Sequence, residues 1–299
     1  MRSKGRPPIL AIIGAGRVGS VLGRVLHQKG WRIGPVITRS MQTARAATRR
    51  IGAGKPQAGI SDAVLRADLI LIATPDRAIS KTAKALGRLG NPSGAGSTAW
   101  RGKIVLHTSG ALSSDVLRPL AVRGAATGSL HPLQTFSGRD IPSLTGFTCA
   151  IEGSAGAVRM ARRICRDLDG VPVLLPQRQK AAYHTAAALA AGHVLAVIEA
   201  AARILVSVGF PHKRALRALL PLTRQTLTNY ERAGAQAAWT GPLNRGDFAV
   251  IERHLEALRR FPREYREAYD ALSRLGLKVL AKGSSAKKRQ LEQALAQIK

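Results

Sequence analysis

The sequence predicts an α/β protein: a doubly wound, mainly parallel sheet over residues 1–176, followed by an all-helical domain over residues 177–299. Three observations predict it. An uncharged apolar run, Ile9 to Ile13, passes directly into Gly14-Ala15-Gly16-Arg17-Val18-Gly19, and helical spacing follows through Val18, Leu22, Val25 and Leu26. Short apolar strands then alternate with helical stretches as far as Leu175, as in a parallel sheet covered by helices. From Gln177 onward the period changes and no further strand is convincing.

Taken in order, the first strand, glycine turn and helix are followed by a second strand from Gly30 to Ile37, ending in Thr38-Arg39-Ser40. Met41 to Ile51 reads as a helix, and Ser61-Asp62 caps a short one before the strand Asp68 to Ala73. Ile79 to Leu89 is helical, and the Gly-, Ser- and Pro-rich stretch Gly90 to Gly102 is a surface loop. The strand Lys103 to His107 runs into Thr108-Ser109-Gly110-Ala111, and Ser113 to Leu120 suits a helix. Ala125 to Leu130 is a strand that leads into a loop beginning at His131-Pro132, and Phe147 to Ile151, Ala155 to Leu168 and Val171 to Leu175 complete the alternation. The second domain is read as helices over Lys180 to Val208, Lys213 to Ala233, Asp247 to Leu258 and Glu264 to Leu280, with Lys282 to Lys299 a charged, solvated end.

Composition narrows the class. The chain has 299 residues, 45% of them hydrophobic, enough for two domains with cores of their own. Two cysteines, Cys149 and Cys165, give neither a disulfide framework nor a metal spacing, which points to a reducing, cytoplasmic setting and no metal. The basic lead-in Met1 to Arg6 resembles a secretory signal only superficially, because the short apolar run behind it ends in the glycine segment. Ala186 to Ile198, interrupted by His193 and closed by Glu199 and Arg203, is read as too short and too polar for a membrane and as a buried helix instead. The net charge of +30 divides as +18 over residues 1–175 and +12 over the remainder. That even spread, with 4% aromatic content, argues against a specific nucleic-acid surface and for attraction of anionic cofactors and substrates.

The glycine segment carries the first chemistry. Gly14 makes the turn, Gly16 lets backbone approach a pyrophosphate, Gly19 lets helix pack on strand, and Ala15, Arg17 and Val18 complete the dinucleotide-binding turn at a helix N-terminus. An acidic residue some 20 positions on would hold the ribose hydroxyl of NAD. Here Arg39, between Thr38 and Ser40, stands in that place and suits a 2′-phosphate, so the expected cofactor is NADP (NADPH). Thr74 and Pro75 end a strand where such sheets meet their ligand, and count as cofactor contacts.

Hydride transfer also needs a group that polarises the acceptor and supplies a proton. Lys180 and His184 share one helix face by their spacing of four, His131 is held extended by Pro132, and Ser109 ends a strand just before a glycine. These four are the candidate catalytic residues, each with a bland alternative as a surface or core side chain. Asn244, Arg245 and Asp247 are candidate substrate contacts, Arg245 for a carboxylate. Asp247 is alternatively a helix N-cap or an ion-pair partner of Arg245, and His254 stands two turns further on.

The segments His107-Thr108-Ser109-Gly110-Ala111, Ser129 to Phe136, Tyr183-His184 and Gly241 to Asp247 together resemble a bacterial family in which a Rossmann-like domain is joined to the domain of unknown function 2520. It falls within the superfamily of ketopantoate reductase, pyrroline-5-carboxylate reductase and deazaflavin-dependent NADP reductase. The resemblance implies an NADP-dependent oxidoreductase, with a helix lysine, here Lys180, as proton donor, ketopantoate as one candidate substrate, and a homodimer joined through the helical domains. Where relatives carry a Ser-Asn pair after Tyr-His, this chain has Ala191-Gly192. The expected function is hydride transfer to a small carboxylate-bearing carbonyl compound. The alternatives are a deazaflavin- or imine-linked reductase and an NADP-binding regulator without turnover.

Overall fold

The computed structural model describes residues 8–90, 99–137, 145–280, 289 and 293. The basic lead-in, most of the loop after Gly90 and nearly all of the charged C-terminal stretch therefore lie outside the described residues. The chain divides into two compact units, residues 1–191 and 192–299.

The first unit begins with β1 (Ile9–Ile13), α1 (Arg17–Gln28), β2 (Arg32–Thr38), α2 (Met41–Ile51), β3 (Lys55–Ala58), β4 (Leu69–Ile72), α3 (Asp76–Gly87) and β5 (Ile104–His107). It continues with α4 (Arg118–Ala121), β6 (Ala126–Pro132), β7 (Thr148–Gly153), α5 (Ala155–Asp167), β8 (Val171–Leu174) and α6 (Lys180–Ala188). Its eight strands form one sheet in the order β3-β2-β1-β4-β5-β6-β7-β8. All neighbours are parallel except β6 and β7, which are antiparallel. The chain thus reverses direction between β6 and β7, which gives the otherwise parallel sheet its one antiparallel pair.

Side chains alternate across a strand, so an uninterrupted apolar strand needs cover on both faces. β1 does this literally: Leu10 and Ile12 join a core with Leu22, Leu26 and Ile164, whereas Ala11 and Ile13 join the opposite core with Ile79, Leu86 and Leu120. β4 splits the same way, Leu69 and Leu71 to one side, Ile70 and Ile72 to the other.

β3 was not foreseen. Its sequence, Lys-Pro-Gln-Ala, is mostly exposed at the sheet edge and has no apolar alternation to reveal it. At the other edge, the backbone N–H groups of Val171 and Leu175 point inward to Phe147 O and Ile151 O. Of the two outward positions between them, 172 and 174, the first is Pro172, which has no N–H and blunts the edge against strand addition.

The second unit holds α7 (Val194–Ser207), α8 (His212–Ala238), α9 (Pro242–Arg245), α10 (Phe248–Ala257) and α11 (Arg263–Leu280). Leu243, Ile251, Leu255 and Leu277 form its core, with Trp239, Phe248 and Tyr269 packed against them. A π-helical turn, Leu189–His193, joins α6 to α7, so residues 177–207 run as one 31-residue helical stretch.

This corrects the reading of Ala186 to Ile198 as a short buried helix. The stretch is long and apolar enough to cross a membrane by length and composition, with a mean hydropathy of 1.8 over its best window, and only 6% of that window is buried within the chain. Neither Gly192 nor His193 breaks it, and the charges of Arg178, Lys180, Glu199 and Arg203 stand toward its ends.

Candidate active site

The glycine turn is built around contacts that exclude side chains. Gly14 has φ +86°, and a Cβ on it would lie 2.7 Å from Thr74 N; one on Gly19 would lie 2.6 Å from Gly14 O. Around Gly16 nothing lies within 4 Å of a Cβ position, so its backbone faces open space at the start of α1. Arg17 is exposed beside it, and Ala15 and Val18 are turned toward the core. This cradle fits a dinucleotide pyrophosphate, with the first N–H groups of α1 as donors.

Sequence reasoning missed one member of the turn: Arg50 at the end of α2 donates to Ala15 O at 3.3 Å. Arg39 is exposed at the end of β2. Next to it, Thr38 Oγ1 and Thr43 Oγ1 are 2.6 Å apart, and Ser40 caps α2 by accepting from Thr43 N. The hydroxyl flanks of Arg39 thus hold the turn that presents it.

A polar cluster lies where β4, β5 and β6 end. Ser109 is fixed from several sides: its Oγ donates to Asp76 Oδ2 at 2.8 Å and accepts from Ala111 N and Leu112 N, and its N–H donates to His107 Nδ1 at 3.2 Å. Lys180 Nζ donates to Ser109 O at 3.0 Å and to Ser129 Oγ at 2.8 Å, with Glu152 Oε1 at 4.0 Å. Ser129 and Glu152 are cross-strand partners on β6 and β7, so the antiparallel pair makes this receptor for the ammonium. Glu152 accepts in turn from Ser114 N and Ser114 Oγ, both at 2.8 Å.

Lys180 is 1% exposed. Burial lowers its pKa, against the opposing pull of Glu152 and then Asp76.

Two residues along β6 from Ser129 is His131, and three along α6 from Lys180 is Tyr183. Strand period two and helix spacing three bring them together, with His131 Nδ1 and Tyr183 OH 2.9 Å apart. His131 thus stands on β6 itself, opposite Ala150 of β7, and not on a loop as its position before Pro132 suggested; the antiparallel pairing extends the strand through Pro132. His184 meets His131 edge to face, ring centroids 5.6 Å apart, and its buried Nδ1 has no hydrogen-bond partner among the described residues.

Both imidazoles close on Gly110. A Cβ there would lie 2.6 Å from His184 Nδ1 and 2.8 Å from His131 Nε2. Burial, then the neighbouring His184 and Lys180, push the pKa of His131 down to about 4, so it is neutral at neutral pH. Burial also pushes the Tyr183 phenol up to about 12, keeping it a proton donor. His107, wholly buried with one ring nitrogen accepting from Ser109 N and the other at Ser113 O, is likewise pushed down to about 4 by burial and then by Lys180.

The cluster therefore unites Ser109, His131, Lys180 and His184 with Asp76, Tyr183, Ser129 and Glu152, which had not been singled out as site residues. The i, i+2 spacing of Ser129 and His131 against the i, i+3 spacing of Lys180 and Tyr183 was the available signal. Thr74 and Pro75 lead from the glycine turn to Asp76, and the Thr74 hydroxyl is buried without a partner among the described residues.

Asn244, Arg245 and Asp247 lie in the second compact unit. Arg245 Nε donates to Asp247 Oδ2 at 2.9 Å and its NH1 to Thr240 O at 2.9 Å, and Asn244 Nδ2 donates to Trp239 O at 2.8 Å. Asp247 is the N-cap residue of α10, with Val250 N and Ile251 N donating to its backbone oxygen, but its carboxylate makes no cap bond and pairs with Arg245 instead. His254 bonds Tyr269 OH at 2.8 Å. Among the described residues no group of three or more His, Cys, Asp or Glu is placed to hold a metal ion.

Comparison with known proteins follows the same division. The model of the Rossmann-like domain matches residues 3–132, and that of Domain of unknown function (DUF2520) matches residues 147–275. Among curated proteins none matches the sequence. A Bacteroides fragilis protein described as a candidate NADP oxidoreductase is 24% identical, with a TM-score of 0.73 over 90% of this chain and 97% of its own. An imine reductase from Myxococcus stipitatus in complex with NADP+ is 21% identical, TM-score 0.63, covering 95% of this chain and 100% of its own. A reductive aminase from Aspergillus terreus in complex with NADPH and ethyl-5-oxohexanoate is 17% identical, TM-score 0.65, covering 96% and 99%. These likenesses are of fold. The chain thus joins a Rossmann-like domain to a DUF2520 domain.

Proposed function

We propose that the protein is an NADP-dependent reductase that accepts NADPH and delivers hydride to a small carbonyl or imine compound. One observation carries this reading: the dinucleotide cradle and the polar cluster are neighbours in a single compact unit. Gly14 abuts Thr74, and two residues further on Asp76 holds Ser109. The fold shared with reductases that bind NADP+ or NADPH supports it. When bound, the nicotinamide supplies the hydride.

Within the chain, Gly16 and Arg17 receive the pyrophosphate and Arg39 the 2′-phosphate. Thr74 and Pro75 meet the nicotinamide half, and Ser109 and Gly110 form a rigid floor. Tyr183 and His131 hold a proton at the phenol oxygen and imidazole, and His184 offers its partnerless Nδ1 to the substrate. Lys180 keeps the floor in place.

Ketopantoate is the keto acid that the family resemblance offers. In that version Arg245, with Asn244 and Asp247, takes the carboxylate. Arg245 is already engaged by Asp247 and Thr240 O, so the keto acid draws little support from the site. The exposed apolar residues Leu189, Val194, Leu195 and Val197 along the helical stretch 177–207 favour a homodimer in which a second copy covers them, as befits a cytoplasmic enzyme.

The test is NADPH oxidation against a panel of α-keto acids, ketones and cyclic imines. Turnover of at least one class, lowered about tenfold or more in Tyr183→Phe and His131→Ala with NADPH binding intact, is the expected result. NADPH binding without turnover of any class would leave the regulator reading instead.

A further inference from the structure

Resting on the reductase reading, we propose that Asp76 selects a cationic substrate, a protonated imine, over keto acids. Lys180 has its ammonium spent on Ser109 O, Ser129 Oγ and Glu152. Glu152 has both oxygens taken by Ser114 and faces Lys180. His131 and His107 are neutral at neutral pH.

Asp76 differs. It is exposed, its Oδ2 accepts only from the Ser109 hydroxyl, and among the described residues it has no ion-pair partner. A carboxylate therefore stands at the end of β4 beside the floor on which His131 and His184 converge, and the one lysine of the cluster, Lys180, is already committed to Ser109, Ser129 and Glu152. Opposite charge attracts a cation there, whereas an anionic substrate is repelled.

The reaction balances without an acid. Hydride from the reduced nicotinamide dinucleotide forms the new C–H bond at the imine carbon, and the C=N π pair becomes the lone pair of a neutral amine. The positive charge passes to the oxidised dinucleotide, and no proton moves in that step. This is compatible with a buried lysine already bonded to Ser109 O and Ser129 Oγ. Tyr183 and His131 then serve to exchange the proton of the imine or amine nitrogen with solvent.

The experiment compares wild type with Asp76→Asn, which keeps an acceptor for Ser109, and Asp76→Glu, which keeps the charge. NADPH oxidation is followed with a methyl-substituted pyrroline, cyclopentanone and pyruvate. In a second arm, calorimetric titration with pyrrolidinium and with cyclopentanecarboxylate is done without cofactor. Wild type and Asp76→Glu are expected to reduce the pyrroline in preference to the other two compounds and to bind pyrrolidinium but not the carboxylate. In Asp76→Asn the pyrroline kcat/KM and the pyrrolidinium affinity fall about tenfold or more, the former mainly through KM.

Unchanged pyrroline kinetics and pyrrolidinium binding in Asp76→Asn, no pyrrolidinium binding by wild type, or a wild-type preference for pyruvate would each overturn the proposal and leave the reductase reading standing. Charge-dependent pyrrolidinium binding with no oxidation of any compound would do the reverse, supporting the role of Asp76 while counting against the reductase.

Discussion

A single methyl group at Gly110 tests the geometry of the cluster. In Gly110→Ala the new Cβ would sit 2.6 Å from His184 Nδ1 and 2.8 Å from His131 Nε2, where ordinary contact begins at 3.4 Å. The two rings must therefore retreat by roughly 0.6–0.8 Å, which is close to the ~1 Å misplacement that costs about a hundredfold in rate. They cannot retreat freely: His131 is tied to Tyr183, and His184 lies edge-on against His131. Gly110 has no left-handed backbone, so the substitution acts through contact alone.

Overpacking of this kind costs about 1–3 kcal/mol, or a few degrees in Tm. The assay is NADPH oxidation with the best substrate of the panel, alongside nicotinamide fluorescence to follow cofactor binding. The expected outcome is a kcat/KM lower by about ten- to a hundredfold, with NADPH affinity within about twofold of wild type. Undiminished turnover would refute the placing of His131 and His184 at the reacting centre.

The other predictions concern charge, protonation and the buried pair. Tyr183→Phe should lower kcat by about ten- to a hundredfold with little change in KM, since the phenol handles a proton and does not anchor the substrate; steady-state kinetics decide. Lys180→Met leaves Glu152 buried without its cation and should cost about 3–5 kcal/mol in urea unfolding, whereas Lys180→Met with Glu152→Leu should recover much of it. His107 has a folded pKa of about 4 against 6.5 when unfolded, so the unfolded state binds more protons between those values. Stability is then fully present above pH 6.5, falls as the pH drops toward 4 and levels below it, losing about 3 kcal/mol through this group. Urea titrations across that range should show the decline, to which His131, with the same folded pKa of about 4, also contributes, and His107→Gln should remove the share due to His107.

Much of the fold was legible because its signals are local. The glycine turn and the uncharged strands β1 and β4 announce buried strands and a tight connection within a few residues of sequence. β3 was not legible, because an exposed edge strand of Lys-Pro-Gln-Ala carries no apolar alternation. The site was only partly legible for a related reason. Ser109, His131, Lys180 and His184 were recognisable by residue type and by flanking glycine, proline or helix spacing. Their partners Asp76, Ser129 and Glu152 are defined by sheet register between distant segments, and the antiparallel β6–β7 pair that sets Ser129 opposite Glu152 is not predictable from either strand alone.

Lys180 illustrates the difference. Its place on the helix face was readable, but that its ammonium would be directed into β5, β6 and β7 depends on three strands arriving at one point. Arg245 shows the converse: a guanidinium in a fixed loop suits a carboxylate, and the carboxylate it finds in this structure is the neighbouring Asp247.

The central claim is that this chain holds NADPH in the cradle at Gly14 to Gly19, with Arg39 at the 2′-phosphate. Parallel titrations of NADPH and NADH, followed by nicotinamide fluorescence in wild type and Arg39→Ala, test it most directly. Saturable binding of both to wild type is expected, with NADPH tighter by about tenfold or more and that preference lost in Arg39→Ala. Binding of neither dinucleotide, or a wild-type preference for NADH, would contradict it.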